Sequence, residues 1–243
     1  MKKLRLSGVL QSLELRIRQS VEDDVHPAEF LMRVLHDEVE RREGKQLDQR
    51  LRRASFEPNK TFESFDFLFN PKVPKAKVID LATCSYITRK ENVLLVGQSG
   101  VGKSHIAQAL GHRACLAGYE VQYSPAHQLL ASMRAARADG TYDRRLAKIA
   151  AADVLILDDL GLHPLRHDEP TDLYEIIRVR YEVGPIVITS NRDIEEWPPL
   201  FTDPLLASAA MDRLLHHAHI IDIEGESFRN PPSKRRPGRS KAA

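Results

Sequence analysis

The sequence predicts an α/β protein, a five-stranded parallel sheet with helices on both faces, preceded by a small helical domain. Two observations carry the sheet. Apolar runs such as Val93-Leu94-Leu95-Val96, Val154-Leu155-Ile156-Leu157 and Pro185-Ile186-Val187-Ile188-Thr189 show no polar alternation, as strands buried on both faces do. Helix-length segments separate them, which is the order of a parallel sheet. A third observation sets the start of the chain apart, because the first sixty residues carry helical spacing and no strand-like run.

In chain order, Leu6, Val9, Leu10, Leu13 and Ile17 recur at helical intervals. A second helix starts at Pro27 and carries Phe30, Leu31, Val34 and Leu35, with Leu47 and Leu51 further on. The mixed charges from Glu38 to Glu43 suit a solvated face. Residues 1–60 are therefore expected to form an N-terminal helical domain. Pro58, the aromatics Phe62, Phe65, Phe67 and Phe69, then Pro71 and Pro74 mark a junction where rings pin the linker onto the next domain. Residues 61–230 then alternate. A helix near Ala76 to Ala82 precedes the Val93 strand, a helix from Lys103 to Ala117 follows it, and a short strand covers Glu120 to Tyr123. Two helical pieces occupy 126–150 before the Val154 strand. After a helix through Leu173 to Tyr181 come the Pro185 strand, a helix ending near His217 and a last strand at Ile220 to Ile223.

The composition excludes several classes. Only Cys84 and Cys115 are present, far apart and without metal-ligand spacing, which suits reduced thiols. Charged residues at Glu14, Arg16 and Arg18 interrupt any signal-peptide core, and no stretch approaches the roughly eighteen apolar residues of a membrane span. A cytoplasmic protein without a membrane partner is the expectation. The net charge of +2 is uneven. Lys234, Arg235, Arg236, Arg239 and Lys241 lie among prolines in 231–243, a composition that cannot build a core and is expected to stay disordered. Such a tail either binds a polyanion or only solubilises the chain. If all five cations met DNA phosphates, affinity would fall with salt at a log–log slope of about −4.5.

Gly97-Gln98-Ser99-Gly100-Val101-Gly102-Lys103-Ser104 fits G-x-x-x-x-G-K-[ST] at each required position, directly after the Val93 strand and at the start of a helix. Backbone N–H groups of such a loop close around a polyphosphate, the helix dipole faces the anion, and Lys103 reaches the β- and γ-phosphates. Ser104 is then left to hold Mg²⁺. Asp158-Asp159 follows four apolar residues, so a strand delivers both carboxylates to the crevice where phosphates lie. Asp158 is placed to bind Mg²⁺ through water, and Asp159 to polarise an attacking water; two acids capping a turn is the alternative. The strand between the two motifs marks the additional-strand ATPase arrangement. No N-K-x-D guanine motif occurs, which favours ATP over GTP. At the end of Thr189-Ser190-Asn191, Asn191 either bridges the γ-phosphate and the water or caps the next helix.

With these motifs, Arg180-Tyr181, Asp212-Arg213-Leu214-Leu215-His216 and Gly225-Glu226-Ser227-Phe228-Arg229 follow in an order and spacing that resemble an IstB-like AAA+ protein. That family supplies the helper ATPases of bacterial insertion sequences and is related to the DnaC helicase loaders. The resemblance implies a homo-oligomer with ATP between neighbours, in which Arg213 matches the position of an arginine finger; a salt bridge with Asp212 is its alternative. It implies a weaker role for Arg229 as a second phosphate sensor, with Phe228 where the family usually has Tyr. It also implies that 126–150 is an insertion shaping a spiral assembly. There Arg134, Arg137, Arg144, Arg145 and Lys148 outnumber the acids, while Leu129, Leu130 and Met133 form a packing stripe. These cations are expected either to contact duplex DNA without reading sequence, or to be a solvated face. The family alone implies a transposase partner. A helicase loader and a P-loop kinase for a small metabolite are the competing functions. The histidines at 163, 167, 216, 217 and 219 lack the companions of a tetrahedral metal site, and Trp197 is expected to pack a loop.

Overall fold

The computed structural model describes residues 6–228. Arg229 and the basic tail therefore lie outside the described residues. The chain divides into two compact units, Met1–Arg52 and Arg53–Ala243.

The first unit contains helix α1 (Ser7–Glu22) and most of α2 (Pro27–Ala54). The first turn of α1 has no capping side chain of its own, Leu6 standing at its N-cap. Glu38 of α2 supplies the missing acceptor: its buried carboxylate takes the N–H of Gly8 at 2.5 Å and of Val9 at 3.3 Å. Those donors have no partner inside their own helix, and a negative charge there also favours the helix dipole. Gly8 allows the approach, since a Cβ would stand 2.9 Å from the Asp37 carbonyl and the Glu38 Cα. Arg16 closes the pair with a bidentate contact to Asp37 at 2.9 and 2.7 Å.

The division falls at Arg52 because the residues after it pack into the second unit. Ala54 is fully buried, Phe56 lies against Tyr123, and the Glu57 N–H donates to Gln108. The second unit then continues through α3 (Lys75–Leu81), α4 (Ser85–Thr88), β1 (Val93–Val96), α5 (Lys103–Leu116) and β2 (Val121–Pro125). After these come α6 (Ala126–Ala138), α7 (Tyr142–Ala151), β3 (Val154–Leu160), α8 (Glu169–Arg180), β4 (Ile186–Ser190), two short 3₁₀ turns, α9 (Pro204–Leu215) and β5 (His219–Asp222). All five strands are parallel, in the order β2-β3-β4-β1-β5.

Every residue of β1 and β4 is buried, which is why their sequences read as unbroken apolar runs. Alternate residues serve opposite faces. Leu94, Val96, Leu155, Leu157, Ile186 and Ile188 pack with α6, α8 and α9, including the expected stripe Leu129, Leu130 and Met133. Helix α5 covers the other face, where Gly111 brings it so near β3 that a Cβ would lie 2.7 Å from the end of Ile156. Strand β3 runs three residues beyond the apolar stretch, and its register against β4 shifts between Leu157 and Leu160. Asp159 takes a left-handed φ of 56° in that irregularity, which re-aims the two carboxylates as a bulge does.

Arg180, at the end of α8, is 1% exposed and donates to four backbone carbonyls: Ile149, Ala152, Asp153 and Pro185 at 2.8–3.2 Å. It thus ties the end of α7 to the segments entering β3 and β4. Burial pushes its pKa down to about 10, which still leaves it charged at neutral pH. Two outcomes are expected. Arg180→Leu strands four carbonyls and destabilises the protein by at least about 3 kcal/mol, read from urea unfolding. Hydrogen bonds from Arg16 first and then Ser12 hold Asp37 at a pKa of about 2; Arg16→Met raises it towards the ordinary carboxylate value, followed by carboxyl NMR. Because that pKa lies below its unfolded value, the contribution is full above about pH 4 and fades as pH falls towards 2.

Candidate functional site

The loop after β1 is shaped by its glycines and by one buried anchor. Gly97 has a φ of +136°, and a Cβ there would strike the Ile223 carbonyl; Gly102 has a φ of +105°, and a Cβ would lie 2.8 Å from the Phe65 ring. Only glycine fits either place. Val101 is fully buried and fixes the loop between them. Lys103 opens α5 and is 4% exposed. Its ammonium donates to the carbonyls of Gly97 and Gln98, both at 2.7 Å, and to Asn191 Oδ1 at 2.6 Å. The loop, the helix start and the end of β4 therefore meet at one cation.

Asp158 is also buried, and both its oxygens are held by hydroxyl donors. Thr189 Oγ1 donates to Oδ1 at 2.5 Å and Tyr123 Oη to Oδ2 at 2.9 Å. The Asp159 N–H donates to Thr189 Oγ1 at 2.9 Å, so one threonine sets both halves of the acidic pair. Burial, with the negative charge of Asp158, pushes the Tyr123 phenol far above its ordinary range, so it stays a neutral donor. The Asn191 side chain faces Lys103 rather than capping the turn that follows.

A cavity of about 230 Å³ opens over this centre, lined by Ser99, Gly100, Gly102, Lys103, Ser104, Asp159 and Asn191 on one side and by Lys60, Ser64, Phe65, His105 and Phe228 on the other. The second wall is aromatic. Phe65 stands edge-on to His105 with centroids 5.0 Å apart, and Phe228 lies 5.8 Å from Phe65 and 4.1 Å from Phe69. His105 Nε2 donates to the Thr61 carbonyl at 2.8 Å, and burial lowers its pKa, which favours the neutral ring. These residues fit a nucleoside triphosphate: an ammonium and loop N–H groups for phosphates, and the rings of Phe65, His105 and Phe228 for a base. Ser104 and Asp158 offer the oxygen donors that Mg²⁺ takes.

Arg213 is not brought to this cavity. It lies at the opposite end of β1, where Asn92 Nδ2 donates to the carbonyls of Arg213 and Leu214 at 3.4 and 3.0 Å. Its guanidinium donates to the Ala209 carbonyl and faces the rings of Tyr174 and Tyr181 at 5.6 and 5.8 Å. Among the described residues no carboxylate lies within ion-pair distance of it, so Asp212 is not its partner. It lines a second cavity of about 380 Å³ with Arg89, Lys90, Arg180, Tyr181, His216 and His217.

The insertion's cations divide. Arg137, though exposed, is bound to the fully buried Asp172 and stacked on Tyr142 at 4.2 Å. Arg145 reaches Ser132 and Arg134 lies 3.8 Å from Glu169, while Arg144 and Lys148 are exposed. Among the described residues no group of three or more His, Cys, Asp or Glu could hold a metal ion, and no helix is long and apolar enough to cross a membrane. Trp197 is buried and donates to the Arg192 carbonyl, packing its loop as expected.

Sequence reasoning missed Thr189 and Tyr123 as partners of Asp158, and the rings of Phe65, His105 and Phe228 as a wall of the cavity. Thr189 carried a signal, a hydroxyl ending an apolar strand beside the acid pair. Tyr123 carried none, because the register that sets it beside Asp158 is a tertiary fact.

A family model described as IstB-like ATP binding protein matches residues 1–236. The chain is 40% identical over 238 residues to an insertion-sequence ATP-binding protein of Mycobacterium tuberculosis, covering 98% of this chain and 94% of that one. It is 36% identical over 227 residues to the ATP-binding protein of insertion sequence IS21 from Pseudomonas aeruginosa, covering 93% and 86%. In fold it is similar to DnaI, with a TM-score of 0.57 at 24% identity over 68% of this chain and 90% of that one. It is likewise similar to AMPPCP-bound DnaA from Aquifex aeolicus, with a TM-score of 0.57 at 22% identity over 70% and 51%. These likenesses show a shared fold. With the loop, the acid pair and Asn191 in the arrangement described, the chain belongs to the family of IstB-like ATP binding proteins.

Proposed function

We propose that this chain is an ATP-hydrolysing, DNA-binding helper of transposition, one that assembles with copies of itself on duplex DNA in the presence of ATP and recruits a transposase through its N-terminal helices. One observation carries the assembly. Arg213 has no acidic partner among the described residues and sits at the far end of β1 from Lys103, so it can complete a triphosphate site only on a neighbouring copy. A planar, always-charged guanidinium suits the charge that grows during phosphoryl transfer.

Within one chain, Lys103 and the loop N–H groups hold the phosphates, and Asn191 is positioned to sense the terminal one. Asp159 orients the attacking water. Ser104 and Asp158 would hold Mg²⁺, which would supply neutralising charge to the phosphates. Asp159 is one methylene shorter than a glutamate, which supports slow turnover. Contact with duplex DNA falls to Arg144 and Lys148, with Arg134 and Arg145 beside them, while Arg137 is engaged with Asp172. The family relationship to insertion-sequence proteins supports the transposase partner.

Three measurements test this reading. Sizing on long duplex DNA is expected to show assemblies with ATP that disappear with ADP and with Lys103→Ala; a protein that stays monomeric throughout contradicts it. Arg213→Ala is expected to keep ATP affinity within about twofold while hydrolysis in the assembly falls by about 10³-fold, as loss of an arginine finger does. Replacing Arg144 and Lys148 together by Ala is expected to reduce the log–log salt slope of duplex binding by about 2. Preference for single strands in that assay favours a helicase loader, and ATP turnover that needs a small acceptor favours a kinase.

A further inference from the structure

Gln108 is fully buried on α5 among Ile106, Ala107, Ala109 and Leu110, which are likewise buried. An amide there costs free energy unless its atoms are bonded. Its carbonyl oxygen takes the Glu57 N–H at 2.8 Å. A backbone N–H can only donate, so this contact fixes which end of the amide points which way. The Nε2 end donates to the Tyr123 hydroxyl at 3.2 Å and to the Glu57 carboxylate at 3.3 Å. That hydroxyl, having accepted, directs its single proton to Asp158 Oδ2 at 2.9 Å. The direction of each proton is thereby set, from Glu57 through Gln108 and Tyr123 to Asp158.

The other oxygen of Asp158 is fixed in the same manner, because Thr189 accepts from the Asp159 N–H and donates its own proton to Oδ1. The carboxylate is thus clamped at both ends by neutral donors, and its plane is set before any ligand arrives. Removing either clamp frees it to rotate.

We propose that Tyr123 and Gln108 are positioning residues for Asp158, the Tyr123 hydroxyl orienting the carboxylate towards Mg²⁺ and Gln108 acting only by aiming that hydroxyl. The proposal rests on the reading of Asp158 as a holder of Mg²⁺. Partners behind a metal-binding group fix its geometry, and their loss weakens metal affinity by about 10- to 100-fold. Asp158 would reach the ion through water, so the lower end of that range is expected. Tyr123→Phe keeps the ring packed against Phe56 at its 5.9 Å centroid distance and removes only the hydroxyl, the donor to Asp158 and an acceptor of Gln108, whose amide keeps the Glu57 carboxylate.

The test is equilibrium binding of a fluorescent ATP analogue to the full chain, titrated with Mg²⁺ and repeated in excess chelator. Tyr123→Phe is expected to raise the Mg²⁺ concentration for half-maximal tightening by about tenfold and to leave chelator-state affinity unchanged, which also reports an intact fold. Gln108→Leu shifts the midpoint the same way by less, and the double variant goes no further than Tyr123→Phe alone, since the two act in series. An unchanged midpoint in Tyr123→Phe, or additive shifts, overturns the proposal. Asp158→Asn separates the two readings: if it abolishes the Mg²⁺ dependence while Tyr123→Phe does nothing, only the positioning role falls. If Asp158→Asn keeps the wild-type dependence, the Asp158 reading falls and the positioning role falls with it.

Discussion

The second unit is organised around one buried cation. A lysine ammonium 4% exposed is stable only where its donors are met, and Lys103 meets two carbonyls of its own loop and the side chain of Asn191. That requirement couples three pieces of chain far apart in sequence. The loop must fold back over the start of α5, β1 and β4 must lie side by side, and β4 must end where its polar residue faces the loop. The parallel register of Val96 with Ser190 supplies the last condition. Under the proposed function, an arriving phosphate would compete with the carbonyls and with Asn191 for the same ammonium, and occupancy of the loop would be felt at the end of β4. From there Arg192 reaches the Gly161 carbonyl at 2.7 Å, beside the acidic pair.

The two ends of the sheet have different work. At the C-terminal ends of β1, β3 and β4 stand the loop, Asp158-Asp159 and Asn191. At the N-terminal ends Asn92 and Arg180 bind backbone, Asn92 also taking the Ile186 N–H at 2.8 Å. With these polar residues committed to holding strands, Arg213 lies between two tyrosines with no carboxylate among the described residues at ion-pair distance. Under the proposed function, such a sheet would stack head to tail, each copy completing the next, as a heterologous interface does.

Much of this was legible in the residues. The loop sequence leaves little freedom, because its glycines answer to φ values and close approaches that other residues cannot adopt, and the acid pair is legible because it ends an apolar run. Strands buried on both faces announce themselves by lacking alternation, and the helices between them by their period. The irregularity that carries β3 on to Leu160 was not legible, since Asp158-Asp159 interrupts the apolar pattern while the backbone continues. The neighbours of Asp158 were hidden for another reason: Tyr123 and Gln108 become partners only through strand register and helix rotation, and neither belongs to a local motif. The ion pair of Arg137 was hidden because its buried partner Asp172 lies on α8, outside any local motif.

The most direct test is the structure of the protein assembled with Mg²⁺ and a non-hydrolysable ATP analogue on duplex DNA. The account predicts Lys103 turned from Asn191 to the terminal phosphates, with the guanidinium of Arg213 from the adjacent copy within hydrogen-bond distance of the same group. A triphosphate enclosed by residues of a single chain, with Arg213 facing solvent in every copy, would contradict it.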